Sequence, residues 1–278
     1  MALEDVILLI LTKAPTDQYG LFKQAGNVSI SEITKALATL EQRKAIHVFG
    51  YRKSKRSGLD IPVYALGVGD NNKFDVHPLL AGVTSERLAE YDFVAKNLLP
   101  KRNQGRILEV GSAGSNLAKS IKEFGKGMFL VIGIDLAREG CDARVDARST
   151  GFRSETFDQV ISISTIEHVG LCGGINDKNG DTKAMQEIFR LLKKGGSAII
   201  SVPYGRTAIV KQEYRVYDSN SLNELAKPFS LAKKEFYRYR SGKWQRCSQD
   251  RAGMAASSNI SPKFHSTACV CLLLKKKR

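Results

Sequence analysis

The sequence predicts an α/β fold: a doubly wound parallel sheet with helices on both faces, preceded by a small α+β domain. Three observations predict it. From Arg106 onward, short apolar runs alternate with amphipathic stretches of helical period. The first seventy residues instead set one strongly periodic helix before two β-rich runs. Between these patterns, residues 68–83 hold Gly, Asp, Asn and Pro without periodicity and read as a linker. The expected division is a small domain over 1–70, a linker and leading helix over 71–104, and the large sheet domain over 105–278.

Composition narrows the function classes. The chain has 278 residues, 42% hydrophobic and 26% charged, proportions that exclude wholesale disorder and fibrous folds. No apolar run approaches the ~20 residues of a membrane span. Glu4 and Asp5 precede the longest run, Val6–Leu11, where a signal peptide would carry Lys or Arg. Five cysteines, odd in number and without a Cys-x-x-Cys pair, fit neither a disulfide framework nor a zinc cluster. The expectation is a cytoplasmic protein with no membrane partner and no metal. The net charge of +15 is uneven: residues 227–278 hold 13 Lys and Arg against 2 Asp and Glu. Such a surface attracts polyanions, or simply stays solvated.

The elements follow in order. Leu3–Leu11 is a short apolar helix candidate. Ser29-Ile30-Ser31-Glu32 is a capping box, and Ile33, Ala36, Leu37 and Leu40 then share one helical face. Lys35, Thr39 and Gln42 fall on the opposite face. Ile46–Tyr51 and Ile61–Leu66 are strands joined by the cationic tip Arg52-Lys53-Ser54-Lys55-Arg56, and Pro62 assigns the second to a sheet edge. A polar-faced helix before a basic hairpin resembles a winged helix-turn-helix domain. The resemblance implies DNA contact through Lys35, Thr39, Gln42, Arg52, Lys53, Lys55 and Arg56; a dimerising or covering role stands beside it.

Thr84–Leu99 reads as a helix capped by Thr84, with Leu88, Tyr91, Val94 and Leu98 in one stripe. Strands are predicted at Arg106–Val110, Met128–Ile134, Ala143–Val145, Gln159–Ser164 and Ser197–Val202. Helices fall at Asn116–Phe124, Asp181–Lys194 and Asp218–Ala226. Lys193-Lys194-Gly195-Gly196 reads as a cationic last turn and glycine stop. Phe229–Arg240 and Thr267–Leu274 form a closing pair of strands.

The segment Glu109-Val110-Gly111-Ser112-Ala113-Gly114-Ser115 carries the chemistry. A strand runs into a small-residue turn and a helix N-terminus, where backbone can approach a ligand and free N–H groups point outward. Glu109 sits at the strand's end, where a buried carboxylate needs a cationic or hydroxyl-bearing partner. The next strand ends at Asp135, placed to accept ribose hydroxyls, and the third at Asp146, placed for an adenine amine. Together they specify an adenosine-containing ligand.

These residues, with Phe157–Ser162, Ile166-Glu167-His168 and Leu-Leu-Lys-Lys-Gly-Gly before Ser197, resemble the class I S-adenosylmethionine-dependent methyltransferases over 105–278. The nearest likeness is an uncharacterised methyltransferase-like family typified by Ser162–Leu171, Asn179-Gly180-Asp181 and Ser201–Gly205. The resemblance implies a Rossmann-like methyltransferase sheet and S-adenosyl-L-methionine as cofactor. Glu109, Gly111, Ala113 and Gly114 would hold its methionine part, Asp135 its ribose, and Asp146 with Ala147 its adenine.

The exit of the fourth strand, Ser164-Thr165-Ile166-Glu167, lacks the Pro-Pro-aromatic sequence that resembles base-amine methylation, and no Pro-Cys nucleophile is present. A related RNA 3′-end methyltransferase family has a metal-binding Glu where Ser164 stands, so that metal site is not expected. Glu167-His168 resembles the pair found in methyltransferases of small molecules and sugars. His168 is the candidate general base, with Glu167 beside it, or the two only hold the strand end in place. Tyr204, Arg206 and Tyr214 are candidate substrate residues. The expected function is methylation of a small-molecule or sugar-type oxygen or nitrogen. Two alternatives remain: a DNA-binding regulator with a cofactor-sensing or degenerate methyltransferase domain, and a nucleic-acid methyltransferase steered by the basic wing and tail.

Overall fold

The chain divides into two units, Met1–Lys73 and Phe74–Arg278. A computed structural model describes residues 3–11, 16–26, 28–42, 46–53, 60–66, 85–99, 105–113, 115–125, 127–136, 140–171, 176–240, 243–254 and 267–277. The expected linker 68–83, the Thr84 cap and Lys55, Arg56 and Gly114 lie outside them. Among the described residues no helix is long and apolar enough to cross a membrane.

The first unit runs α1 (Leu3–Leu11), β1 (Thr16–Asp17), α2 (Gln18–Ala25), α3 (Ile30–Gln42), β2 (Ile46–Lys53) and β3 (Asp60–Leu66). Ile33, Ala36, Leu37 and Leu40 of α3 bury against Ile7, Ile10 and Leu11 of α1 and Leu21 of α2. The capping box forms at the start of α3: Ser29 Oγ accepts from Glu32 N at 3.2 Å, and Ser29 N donates to Glu32 Oε2 at 2.7 Å. Lys35 and Gln42 stay exposed. The strand order β1-β3-β2 corrects one expectation: β3 is the middle strand, not an edge. Pro62 is tolerated because β1 has only two residues and pairs with Val63 and Tyr64, so Pro62 meets a partner only on β2.

The second unit runs α4 (Arg87–Asn97), β4 (Gly105–Val110), α5 (Leu117–Gly125), β5 (Phe129–Asp135), β6 (Ala143–Arg144), β7 (Phe157–Ile163), a 3₁₀ turn (Ile166–His168), α6 (Gly180–Leu191) and β8 (Leu192–Pro203). It continues with β9 (Ala208–Val210), β10 (Tyr214–Val216), α7 (Ser219–Ala226), β11 (Ser230–Arg240), β12 (Lys243–Cys247), α8 (Gln249–Gly253) and β13 (Ala268–Lys275). Its sheet has the order β12-β11-β13-β8-β7-β4-β5-β6.

β4 to β8 are parallel, but β13, β11 and β12 pair antiparallel, so the sheet is mixed rather than all parallel. The connection from β11 to β12 spans two residues, which only an antiparallel turn can close. Helices cover both faces. One core packs α6 and α7 residues Ile188, Leu191, Leu222 and Leu225 on Val160, Ile200 and Leu272. The other packs α4 and α5 residues Phe93, Val94, Leu117 and Ile121 on Ile107, Ile161 and Ile199.

Two helices differ from expectation. α6 ends at Leu191, three residues early, because Leu192 turns extended and pairs with Phe157. Lys193 then binds Asp158 at 2.8 Å instead of closing the helix. The buried face of α4 holds Ala89, Glu90, Tyr91, Phe93 and Val94, while Leu88 and Leu98 are only partly buried. The face rotates because Glu90 is satisfied inside, accepting from Ser164 Oγ at 2.6 Å and Ser201 Oγ at 2.7 Å.

Candidate functional site

The chain order along the sheet reverses between β4 and β7: β5 and β6 follow on one side of β4, β7 and β8 on the other. Ligands bind beyond the carboxyl ends of strands at such a switch point. A pocket of about 310 Å³ opens there. Its wall takes Val110, Gly111 and Ala113 from the β4 exit, and Ile134 and Asp135 from β5. Val145, Asp146, Ala147 and Arg148 follow β6; Ser164, Thr165 and His168 follow β7; Arg87 comes from α4.

The β4 turn is held to β5 by backbone. Gly111 N and Ser112 N both donate to Ile134 O, at 2.9 and 3.1 Å. Ala113 N donates to Asp135 Oδ2 at 3.0 Å, so the turn and this carboxylate form one surface. Gly111 has φ +85°, and a Cβ there would lie 2.0 Å from Thr165 Oγ1. Positive φ costs an L-residue about 1–2 kcal/mol, and the Thr165 contact adds to it. Gly111→Ala should therefore lower the melting temperature and abolish adenosine-ligand binding, both checkable by thermal shift and calorimetry.

Glu109 lies elsewhere than the pocket wall. It is turned beneath α5 and accepts from Ala118 N at 2.8 Å, buried to 2% exposure. Burial pushes its carboxyl up to about 7, against the Ser115 and Ala118 hydrogen bonds. Glu86, on the approach to α4, is likewise pushed by burial to about 7, and Glu167 well above the usual range. A carboxyl whose folded value exceeds its unfolded one holds its proton longer in the folded state, so stability falls as pH rises from about 4.5 toward 7. The melting temperature should drop between about pH 5 and pH 8, with a shallower slope in Glu109→Gln, whose amide oxygen still accepts from Ala118.

Asp146 lines the pocket but is itself held by Arg148, which donates from its backbone at 2.8 Å and from Nη2 at 2.7 Å. These bonds keep its carboxyl below the usual range. Arg148 also reaches Asp177 at 3.0 Å, anchoring the wall to the segment before α6.

The β7 exit brings His168 to the pocket. Its Nδ1 lies 2.8 Å from the Glu213 carbonyl oxygen. A carbonyl can only accept, so Nδ1 carries a proton, and in the neutral form of the ring the lone pair is therefore on Nε2. Nε2 stands 4.0 Å from Glu167 Oε1, and the ring packs on Tyr214 at 5.8 Å between centroids. Glu167 is wholly buried, and neither carboxylate oxygen has a hydrogen-bond partner among the described residues.

The remaining expected site residues scatter. Tyr204 is buried, stacks edge-on against Phe236 at 4.7 Å and is absent from the pocket wall; Arg206 is exposed. Lys35, Thr39, Gln42, Arg52 and Lys53 belong to the first unit. Two residues escaped sequence reasoning. Arg87 lines the pocket and pairs with buried Glu90 at 3.0 Å. Arg215 is 6% exposed and staples the β7 exit through carbonyls of Glu167, Val169, Asp177 and Lys178. No local pattern marks either one: Arg215 depends on carbonyls 37 to 48 positions away, and Arg87, paired only three residues on with Glu90, reaches the pocket through the packing of α4.

Residues 145–245 match a family model described as "Caenorhabditis protein of unknown function, DUF268". The chain is similar to the tRNA (carboxymethyluridine(34)-5-O)-methyltransferase alkbh8 of Xenopus tropicalis, with 33% identity over 116 residues, 36% of this chain. It spans 17% of that relative's length. Among solved structures it is similar to a SAM-dependent methyltransferase from Methanosarcina mazei (14% identity, TM-score 0.46, 66% of this chain and 97% of that one). It is also similar to MccD protein (16%, TM-score 0.49, 70% and 100%). A third is the 1,6-didemethyltoxoflavin-N1-methyltransferase of Burkholderia thailandensis (16%, TM-score 0.43, 69% and 78%).

Proposed function

We propose that the second unit is an S-adenosyl-L-methionine-dependent methyltransferase acting on an oxygen or nitrogen acceptor. One observation carries the reading: Asp135, Asp146 and the Gly111–Ala113 turn border a single pocket at the sheet's switch point. The residues fit the cofactor. Asp135 would accept from ribose hydroxyls. Asp146, with Val145 and Ala147, would face the adenine. The backbone of Gly111 and Ala113, with Gly114, would meet the methionine part. Glu109 would act from beneath, fixing the N-terminus of α5 on which that turn rests.

Bound there, the cofactor supplies an electrophilic methyl group on a sulfonium. The chain's part is to position the acceptor and hold its proton, since alignment alone lowers such a barrier greatly. Nε2 of His168 takes the acceptor proton, and the Glu213 carbonyl holds the neutral ring's own proton on Nδ1. Tyr214 backs the imidazole. Arg87 and Ser164 edge the remaining space.

The first unit we read as a winged helix-turn-helix domain. Its order of three helices, a two-residue strand and a hairpin supports that reading. DNA would meet Lys35, Thr39 and Gln42 of α3 and Arg52, Lys53, Lys55 and Arg56 of the hairpin.

Calorimetry with S-adenosylmethionine and S-adenosylhomocysteine tests the cofactor: micromolar binding of both is expected, and no binding of either refutes the reading. His168→Asn should leave that affinity within about threefold while lowering methyl transfer by about 10²-fold, the usual size of a lost general base.

A further inference from the structure

We propose that the hairpin of β11 and β12, with α8, is the docking margin for a single-stranded nucleic acid, and that the methyl acceptor is carried on that strand. The acceptor half rests on the methyltransferase reading above; the docking half stands alone.

The cations are arranged on one face. In the β11–β12 register Arg238 faces Gln245, and Arg240 faces Lys243. Opposed residues share a face, and alternate residues of a strand return to it. Arg238, Arg240 and Lys243 therefore lie on the face of Phe236, which packs into the core under α8. Arg238 Nη1 reaches Arg251 O on α8 at 3.5 Å, bringing that helix alongside. Arg240, Lys243 and Arg251 are exposed. Among the described residues no carboxylate forms an ion pair with any of these four; elsewhere Lys193, Lys122 and Arg190 find Asp158, Asp142 and Glu187. Residues 227–278 hold only Glu235 and Asp250 as acids. Glu235 is buried and paired with Lys233 at 3.0 Å, leaving exposed Asp250 as the opposing charge.

The margin is the pocket's own. β8 runs parallel to β7, β13 antiparallel to β8, and β11 antiparallel to β13. β11 therefore points the same way as β7, and its end at Arg240 lies on the sheet edge where the pocket opens. Three strand spacings separate β7 from β11, about 14 Å. Exposed Arg206, after β8, lies on the way. A strand held at Arg240 and Lys243 would reach His168 within a few nucleotides.

Charge complementarity favours a phosphate polymer. Arg238 and Arg240 repeat every second residue along β11, about 6.6 Å, as a flexible phosphodiester chain can follow. A membrane would need several exposed large apolar side chains among the cations; residues 236–247 supply none, and α8 adds only Met254 at its end.

The test uses the full chain, a fluorescent single-stranded oligoribonucleotide and anisotropy at rising salt. The double variant Arg240→Glu/Lys243→Glu should weaken binding at least tenfold and lower the log–log salt slope by about 1.4, for two lost phosphate contacts. Lys227→Glu, exposed on the same unit, should change affinity less than twofold, and Lys35→Glu reads the contribution of the first unit. Radiolabel from S-adenosylmethionine should enter RNA with the unchanged chain and not with the double variant. Unchanged RNA binding in the double variant, loss confined to Lys35→Glu, or capture of phosphatidylserine vesicles without RNA binding would overturn the docking margin. Tight RNA binding without cofactor binding by calorimetry would instead refute the methyltransferase reading and leave the margin standing. Methylation of free nucleosides at the rate of RNA would refute delivery by the strand.

Discussion

Asp135→Ala is expected to weaken S-adenosylmethionine binding by at least about 10²-fold. Each hydrogen bond to a charged acceptor contributes about 1.5–3 kcal/mol, and Asp135 is placed to receive two ribose hydroxyls, so about 3 kcal/mol or more is at stake. About 1.4 kcal/mol corresponds to tenfold in affinity. The carboxylate also receives Ala113 N at 3.0 Å, so its removal frees the turn as well as the ribose site. Asp135→Asn keeps one acceptor oxygen and should lie between, near tenfold. Asp135 ends β5 at the pocket and is half-buried, so the melting temperature of either variant should shift by only a few degrees. Calorimetry reads the affinities and thermal unfolding checks the fold. An affinity change below about threefold in Asp135→Ala would remove the ribose assignment.

The second large effect is on stability. Arg215→Met should cost about 3–5 kcal/mol, the range for removing one partner of a buried charged network. Nη1 donates to Glu167 O at 3.0 Å and Val169 O at 2.8 Å, and Nη2 to Asp177 O and Lys178 O, both at 3.1 Å. Nε stands 3.3 Å from Asp181 Oδ2, which also receives the Tyr217 hydroxyl at 2.8 Å. Met fills the stem's volume but takes a donor from each of four carbonyls, of which Asp177 O keeps Gly180 N, and leaves Asp181 without its cation. At about 2–4 °C per kcal/mol for a unit of this size, the melting temperature should fall by roughly ten degrees. Arg215→Lys should recover little, because one ammonium cannot reproduce a planar fork with donors in two directions. Amide exchange across 166–171 should accelerate more than across β4 or β5. Full rescue by lysine would show that charge alone, and not the fork, holds the β7 exit.

Much of this architecture was legible beforehand. α3 was legible because its cap, its period and its buried face agree: Ser29 and Glu32 close the box, and Ile33, Ala36, Leu37 and Leu40 go inside. α7 was legible for the same reason, with Asp218 accepting from Ser221 N at 2.9 Å. The end of α6 was misplaced because Lys193 looks like a last-turn cation until Asp158, 35 residues away, competes for it. Glu90 has no place in the predicted stripe of α4 because its partners Ser164 and Ser201 lie 74 and 111 positions away. β1, α2, the β9–β10 hairpin, β12 and α8 are too short to carry a period of their own, and neighbours define them.

What the sequence determined by itself is the local grammar: which of the longer segments are strands and helices, where the small-residue turn lies, and that Asp135 ends its strand, whereas Asp146 follows β6 by two residues. Those properties follow from propensity, periodicity and caps within a few residues. Only the tertiary structure decided which charges face the pocket. It turned Glu109 under α5, brought Arg87 into the wall, buried Arg215 as a staple and set β11 antiparallel on β13. The physical reason is that a buried charge is stable only with its partners: the hydroxyls that bond Glu90 stand 74 and 111 residues away along the chain, and the groups that hold Arg215 stand 34 to 48 away.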